Sequence, residues 1–290
     1  MALPIEDYAL AGDCKTAALV GRDGSIDWLC WPRFDSGACF PALLGTPENG
    51  RWIIAPKSLA LDIKRQYRFS TLILETEFQA STGSATIIDF VPPADGAANL
   101  VHIVVGSLGR VTFRTELVAR FDYGATVPRV TRIKDGAIDA IAGPERLVLR
   151  TSATLHGEDL KTVGEFTVDA GQTIPFVLSY GPSFEAPPSP IDPVDALGRR
   201  ETFWRQWSDL CPDVGPWSDA VRRSLITLKA LTYAPTGGIV AAVTTSLPER
   251  FGGSRNWGYR FCWPRDATFT LSAFTHLGYH EAGGVASLSR

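Results

Sequence analysis

"GPSFEAPPSPIDP", residues 181–193, divides the chain into two textures and so decides how the rest is read. It holds five prolines, and proline both fixes φ and removes the backbone donor that helices and sheet ladders need. A stretch of this kind is an extended connector, which places an expected boundary between a unit at residues 1–185 and a second at 186–290.

Upstream of the connector the sequence is a succession of short β-prone runs. "AALVGRDGSIDWLCW" (17–31) sets Asp23 and Gly24 between two apolar stretches, a hairpin signal, because tight hairpin turns demand positive φ. "STLILETEFQA", "SATIIDFV", "NLVHIVVGSLG", "VTFRTELVARF", "AIDAIAG", "RLVLRTSATL", "EFTVDAG" and "TIPFVLSYG" follow, rich in Val, Ile, Thr and Phe. Their spacing predicts an antiparallel β-sandwich, and the alternating helices of a parallel α/β fold are missing. Downstream the period changes. Asp192 can cap and Pro193 can start a helix, and Trp217, Val221, Leu225, Leu228 and Leu231 recur at helical spacing as a core face. Residues 234–265 are expected as a long loop, with a further helix from Asp266 carrying Phe269, Ala273, Phe274 and Leu277. "HEAGGVASLSR" (280–290) opens another segment with no core-closing element after it, so the second unit is expected to be an incomplete helical domain whose exposed apolar faces predict self-association.

At 290 residues, 45% hydrophobic and 20% charged, the composition is that of a globular protein with room for one large or two medium domains. A net charge of −3 with no basic run gives no electrostatic footprint for nucleic acid or a membrane surface, so the expected partner is small or uncharged. "MALPIEDYAL" lacks a basic signal-peptide region, and the five cysteines are odd in number and unpaired in spacing. Both point to a cytoplasmic protein with free thiols and no structural zinc. His102, His156, His276 and His280 offer no metal pattern, and there is no phosphate loop or serine elbow, so no cofactor is expected.

The chemistry concentrates in "GGSRNWGYRFCWPRDATFTLSAFTHLGY" (252–279). Asp266 stands where loop meets helix, and a carboxylate there can be held by the free N–H groups of the first turn. With Arg265 it offers acceptors and donors suited to the vicinal hydroxyls of a sugar, while Trp257, Tyr259 and Trp263 can pack on the C–H face of a pyranose. The same residues also fit a plain helix cap, its surface ion pair and three core rings, and spacing leaves both open.

"TGGIVAAVTTSLPERFGGSRNWGYRFCWPRDATFTLSAFTHLGY" resembles the opening of the catalytic domain of glycoside hydrolase family 15, the glucoamylases and their bacterial glucoamylase-like and trehalase-like relatives. "IEDYALAGDCKTAALVGRDGSIDWLCWPRFDSGACFPALLGTPENGRW" is similar to the amino-terminal β-sandwich of the bacterial members. The resemblance implies a multi-domain β + α chain: an antiparallel sandwich followed by the first helices of an (α/α)6 barrel, here cut short. It implies inverting hydrolysis of α-glucosidic bonds in starch-type oligosaccharides or trehalose, with Arg265 and Asp266 binding the terminal glucose. Trp263 is then a wall of the site, and Trp257, Tyr259 and Arg260 are further substrate-binding candidates.

Two positions depart from the family pattern: Gly258 stands where an acid is usual and Pro264 where a leucine is usual. Pro264 also restricts Trp263 to extended backbone. Inversion needs two carboxylates about 6.5–9.5 Å apart, and the resemblance puts both beyond Arg290, so no catalytic residue is expected within the chain. Glu249 and Glu281 carry no mark of an acid or base. Asp7, Asp13, Asp23, Asp27 and Asp35 are expected as turn, loop and strand-end acids, although a contact of the "WPRFDS" loop with the barrel mouth is compatible with the motif. The alternative to an enzyme is a non-catalytic carbohydrate-binding or structural fragment.

Overall fold

The structure, a computed structural model, describes residues 2–93, 96–246, 248–250 and 253–279. Glu281, His280 and the segment 280–290 lie outside the described residues.

The Asp23-Gly24 signal forms the expected turn within an opening meander of β1 (Tyr8–Gly12), β2 (Ala17–Gly21) and β3 (Ser25–Cys30). Gly24 has φ +85°, and a Cβ there would lie 2.2 Å from the Ile54 carbonyl oxygen, so conformation and space both require glycine. β4 (Ala38–Phe40) and β5 (Arg51–Pro56) pair with β3 in the same sheet. β6 (Asp62–Tyr67), β7 (Leu74–Ala80) and β8 (Gly83–Phe90) make a second meander in the facing sheet.

The runs 99–109 and 111–121, expected as two strands, join into one. β9 (Ala98–Val118) is 21 residues long, and its exposed residues 107–110 mark where it leaves one sheet for the other. Gly109 takes φ +61° at that corner, where a Cβ would meet the Thr82 carbonyl oxygen at 2.3 Å. β10 (Arg129–Arg132), β11 (Ile138–Ala142) and β12 (Glu145–Thr151) extend the second sheet, β13 (His156–Glu158) and β14 (Lys161–Asp169) the first, and β15 (Thr173–Pro182) inserts between β12 and β9. The first part of β9 pairs with β8 and β15 and the second with β5 and β14, all antiparallel.

Alternation along the strands builds the core, as in β7, where Leu74, Thr76, Phe78 and Ala80 are buried. Phe113 stacks on Phe166 at 5.6 Å, Phe166 meets Phe176 at 5.1 Å, and Phe78 stands edge-on to Phe113 at 6.3 Å. Full burial of each ring is worth about 1.5–3 kcal/mol relative to leaving it exposed. His102 is buried in the same region with Nδ1 on the Asp89 carboxylate and its ring edge-on to Trp52 at 4.2 Å.

Asp192 caps α1 (Pro193–Ser208) as its sequence predicts, its Oδ1 accepting from the N–H groups of Val194 (2.8 Å) and Asp195 (3.1 Å). α2 (Ser218–Ala230) buries Leu225, Ile226 and Ala230, whereas Trp217, expected on its core face, sits at the cap before the first turn and is 71% exposed. α3 (Pro264–His276) begins two residues earlier than expected because proline is preorganised for the first helical position. Asp266 is therefore the third helical residue and makes no capping bond. Trp263 is extended at φ −105°, ψ 125°, as the following proline requires.

The helices share a core made by Trp204, Trp207, Ile226, Phe274 and Tyr279, and Cys14 and Leu72 of the sandwich belong to the same cluster. α1 is locked onto the sandwich by Arg200, which is fully buried, donates to the Gly12 carbonyl, and lies against Phe203 and Trp204 at 4.8 and 4.7 Å. Phe274 is buried as expected on α3, but Phe269 is 72% exposed. No helix among the described residues is long and apolar enough to cross a membrane.

Candidate functional site

The segment expected as a long loop forms no helix or strand among the described residues before Pro264, but two of its stretches lie side by side as arms. Residues 239–246 and 257–262 run antiparallel, joined by isolated bridges between Val240 and Cys262 and between Thr245 and Gly258. The Ala242 N–H donates to the Tyr259 carbonyl at 2.9 Å and the Ser246 N–H to the Trp257 carbonyl at 2.8 Å. These few bonds fix the ring-bearing arm without making a regular ladder, and no alternation of apolar and polar residues marks it in the sequence.

Trp263 stands at the centre of the rings. Its indole N–H donates to the Gly258 carbonyl at 3.1 Å, and its ring lies edge-on to Tyr259 at 5.4 Å and to Trp257 at 6.5 Å. Trp257 is steadied in turn by Glu249, whose Oε1 accepts its indole N–H at 3.3 Å. Beside the rings, Arg265 donates to Asp266 Oδ2 at 3.0 Å. The Tyr259 hydroxyl, followed by Asp266, holds the Arg265 guanidinium above its ordinary pKa, so it stays charged under any working condition. As an exposed ion pair Arg265–Asp266 adds little stability. As a recognition element it offers fork-shaped donors next to a carboxylate acceptor, with apolar ring faces within reach.

Trp257, Tyr259, Trp263, Arg265 and Asp266 are thus brought together. Arg260 points elsewhere. Its Nη1 donates to the carbonyls of Ser36 (3.0 Å) and Phe34 (3.4 Å) and lies 3.4 Å from Cys30 Sγ. The "WPRFDS" loop of the sandwich therefore does meet the ring-bearing arm. A cleft of about 200 Å³ lies at this contact, lined by Arg33, Asp35, Tyr233, Arg260, Phe261 and Cys262. Arg33 and Tyr233 were not singled out from sequence. The sole signal was the loop motif itself, since nothing local in "LTYAPTGG" marks Tyr233. Of the clustered aspartates, Asp23 accepts from the Ser25 N–H in its turn, Asp27 is buried and accepts from the Tyr8 hydroxyl at 2.6 Å, and Asp35 pairs with Arg33 at 2.7 Å.

Residues 215–288, the helical part that carries these rings and this charge pair, match the family described as glycosyl hydrolases family 15, which sets the class of protein. Residues 1–179 match the family described as trehalase-like, N-terminal. The chain belongs to this trehalase-like family of glycoside hydrolases, as its amino-terminal domain and the start of the catalytic domain. It is 33% identical to a trehalase of Mycolicibacterium smegmatis over 95% of this chain and 45% of that protein. It is 34% identical to a trehalase of Mycobacterium tuberculosis over 95% of this chain and 44% of that one. The chain thus spans about half the length of the curated relatives it matches. A bacterial glucoamylase solved with acarbose has the same fold over 95% of this chain and 48% of its own, with a TM-score of 0.64 at 12% identity.

Gly258 stands where the family resemblance expects an acid. Among the described residues a Cβ there would meet the Phe261 ring at 3.3 Å, a tight contact that a shift of this half-exposed ring would have to relieve, and the backbone is not left-handed. If the site holds a sugar, Gly258→Asp is expected to tighten the binding of a glucoside several-fold while changing stability by no more than about 0.5 kcal/mol, as surface substitutions do. A glucoside-binding titration beside a urea titration would check it, and unchanged affinity would place this position outside the sugar's reach.

Proposed function

We propose that the chain forms the amino-terminal domain, to about residue 185, and the sugar-holding first part of the catalytic domain of an inverting α-glucosidase, with trehalose as the first substrate to try. The observation that carries it is the Arg265–Asp266 pair set beside the rings of Trp263 and Tyr259. The names of the relatives, trehalases in each case, favour trehalose over longer glucans.

In this function Arg265 donates to, and Asp266 accepts from, hydroxyls of the terminal glucose, while Trp263, Tyr259 and Trp257 cover its apolar face. Arg260 serves the same ligand from behind the ring-bearing arm. Inversion requires one protonated carboxyl at the leaving oxygen and one carboxylate that activates water on the opposite face, about 6.5–9.5 Å away. We assign neither to the described residues; Glu249 is engaged with Trp257 and Arg255. Both are expected beyond Arg290, in the half that the relatives have and this chain does not span. The unpaired cysteines support a reducing, cytoplasmic setting.

The test is glucose release from trehalose, maltose and maltooligosaccharides by the complete gene product, with the anomer followed by NMR. From trehalose one β-glucose and one α-glucose are expected per bond broken, because only the attacked carbon inverts and the leaving glucose keeps its configuration; from maltooligosaccharides the glucose freed from the non-reducing end is expected as β-glucose. No release from any α-glucoside, or trehalose yielding α-glucose alone at first, would overturn it; sugar binding without hydrolysis by the complete product would establish a carbohydrate-binding protein in its place.

A further inference from the structure

We propose that Arg260 is a positioning residue through which the β-sandwich sets the place of the sugar-holding rings, which makes the loop at residues 30–36 a working part of the site. The proposal rests on the function proposed above for where the sugar binds.

Tyr259 and Arg260 form a turn between the isolated bridges at Gly258 and Cys262, and their side chains part there. Tyr259 turns toward Trp263 and Arg265, and Arg260, the next residue, turns toward the sandwich. There its guanidinium meets two carbonyl oxygens and the Cys30 sulfur, with the Trp28 ring at 5.8 Å and the Tyr123 ring at 5.4 Å. The loop it grips is itself held firmly. The Phe34 N–H donates to the Lys15 carbonyl at 2.9 Å, the Ser36 N–H donates to the Arg33 carbonyl at 3.1 Å, and Arg33 and Asp35 form a two-bond fork at 2.9 and 2.7 Å. The opposite arm has its own tie, because the Trp28 indole N–H donates to the Val243 carbonyl at 2.7 Å. Each arm is thus fastened from behind to the same part of the sandwich, one by Arg260 and the other by Trp28. All three contacts run through Nη1, and the rings of Trp28 and Tyr123 lie near the guanidinium, so its position is set from several sides. Errors of about 1 Å in such a wall are costly to a bound sugar.

The cysteines supply a reporter that is independent of activity. Cys262 is exposed two residues from Arg260, while Cys14, Cys30, Cys39 and Cys211 are buried, and Cys30 touches Arg260 directly. Burial pushes the Cys30 thiol up to about 11, so it is protonated and slow toward disulfide reagents at mildly alkaline pH.

The experiment uses Arg260→Met, which keeps the stem and loses the donors. With an aromatic disulfide reagent at pH 8, the unsubstituted 290-residue chain is expected to show one fast thiol, Cys262. In R260M the charge and donor that hold the Cys30 thiol down are lost, so any gain in rate reports access alone; Cys30 is expected to react faster than before, with the amides of residues 34–36 exchanging at least tenfold faster, while Cys14, Cys39 and Cys211 stay slow and so exclude general unfolding. In the complete gene product R260M is expected to raise KM for the hydrolysed α-glucoside about tenfold with kcat changed less than threefold, and Arg260→Lys to recover part of that KM. Amides of residues 34–36 exchanging as slowly in R260M as in the unsubstituted chain, with Cys30 still slow, would overturn the tie. A fall in kcat at unchanged KM, or no kinetic change at all, would overturn the positioning role. If all five thiols of R260M react fast, Trp28→Phe replaces it: loss of the bond to Val243 is expected to raise KM in the same sense, and an unchanged KM would overturn the proposal. A complete product that hydrolyses no α-glucoside would remove the proposed function and leave the thiol and amide-exchange measurements to decide the tie.

Discussion

Asp266→Asn in the complete gene product is expected to lower kcat/KM for its α-glucoside on the order of a hundredfold, with the thermal midpoint nearly unchanged. Asp266 is the acidic residue of the first turn of α3, its side chain is 30% exposed, and it caps nothing. Its loss therefore removes little that holds the helix, beyond a modest interaction with the helix dipole. What disappears is a charged acceptor beside Arg265. Asparagine keeps one oxygen but puts an N–H donor where the other was, so a sugar hydroxyl that donated to the carboxylate meets a second donor. The Arg265 guanidinium also loses the partner that orients it. Steady-state kinetics with a parallel melting curve separate the cases: a collapse of the midpoint would make Asp266 structural, and unchanged kinetics would take it out of the site.

Arg200→Ala is expected to cost about 3–5 kcal/mol of unfolding free energy, the range for removing one member of a buried charged cluster. The guanidinium is fully buried between α1 and the sandwich, donates to the Gly12 carbonyl and packs on Phe203 and Trp204. Alanine leaves that carbonyl unsatisfied, opens a cavity and abandons Asp13, a buried acid whose charge Arg200 helps to offset. The loss should depend on pH. Burial raises the Asp13 pKa, opposed by the N–H of Thr16 and then by Arg200. A carboxyl held above its unfolded value loses stability as pH rises from that unfolded value through the folded one. Without Arg200 the folded value climbs further, so the variant's deficit should be larger at pH 7 than near pH 4. Urea unfolding at both pH values measures this, and Asp13→Asn in the same background should recover part of the deficit at pH 7. A deficit under about 1 kcal/mol, as for surface pairs, would mean that α1 does not need this anchor.

The start of α1 and the first hairpin were legible because their signals are local: Asp192 before Pro193, and Asp23-Gly24 between apolar runs. β9 was not, since the exposed residues 107–110 look like a loop, and only pairing with strands far along the chain keeps that stretch extended. The two arms at 239–246 and 257–262 escaped for a related reason. Their backbone bonds are sparse, and their placement comes from Trp28 and Arg260 contacts that span more than 200 positions. The crowding of Trp257, Tyr259, Trp263, Arg265 and Asp266 was evident from their nearness in sequence, and the extended backbone of Trp263 followed from Pro264. Trp217 misled because helical spacing was extended one residue past the true start of α2. The direction of Arg260 could not be read at all: sequence shows what neighbours a side chain, and the pairing partner decides which side it takes.

β9 belongs to both sheets, and its first part is completed only by β15, which ends at Pro182. On a ribosome making roughly 5–20 residues per second, the interval between the start of β9 and the end of β15 is roughly 4–17 s. Throughout it the emerging chain presents an apolar strand with one edge unpaired, the form most prone to capture by another nascent chain. Yield in the cell should therefore follow the pace of translation across residues 119–172: slow codons there prolong the exposure, and fast ones or a holding chaperone shorten it.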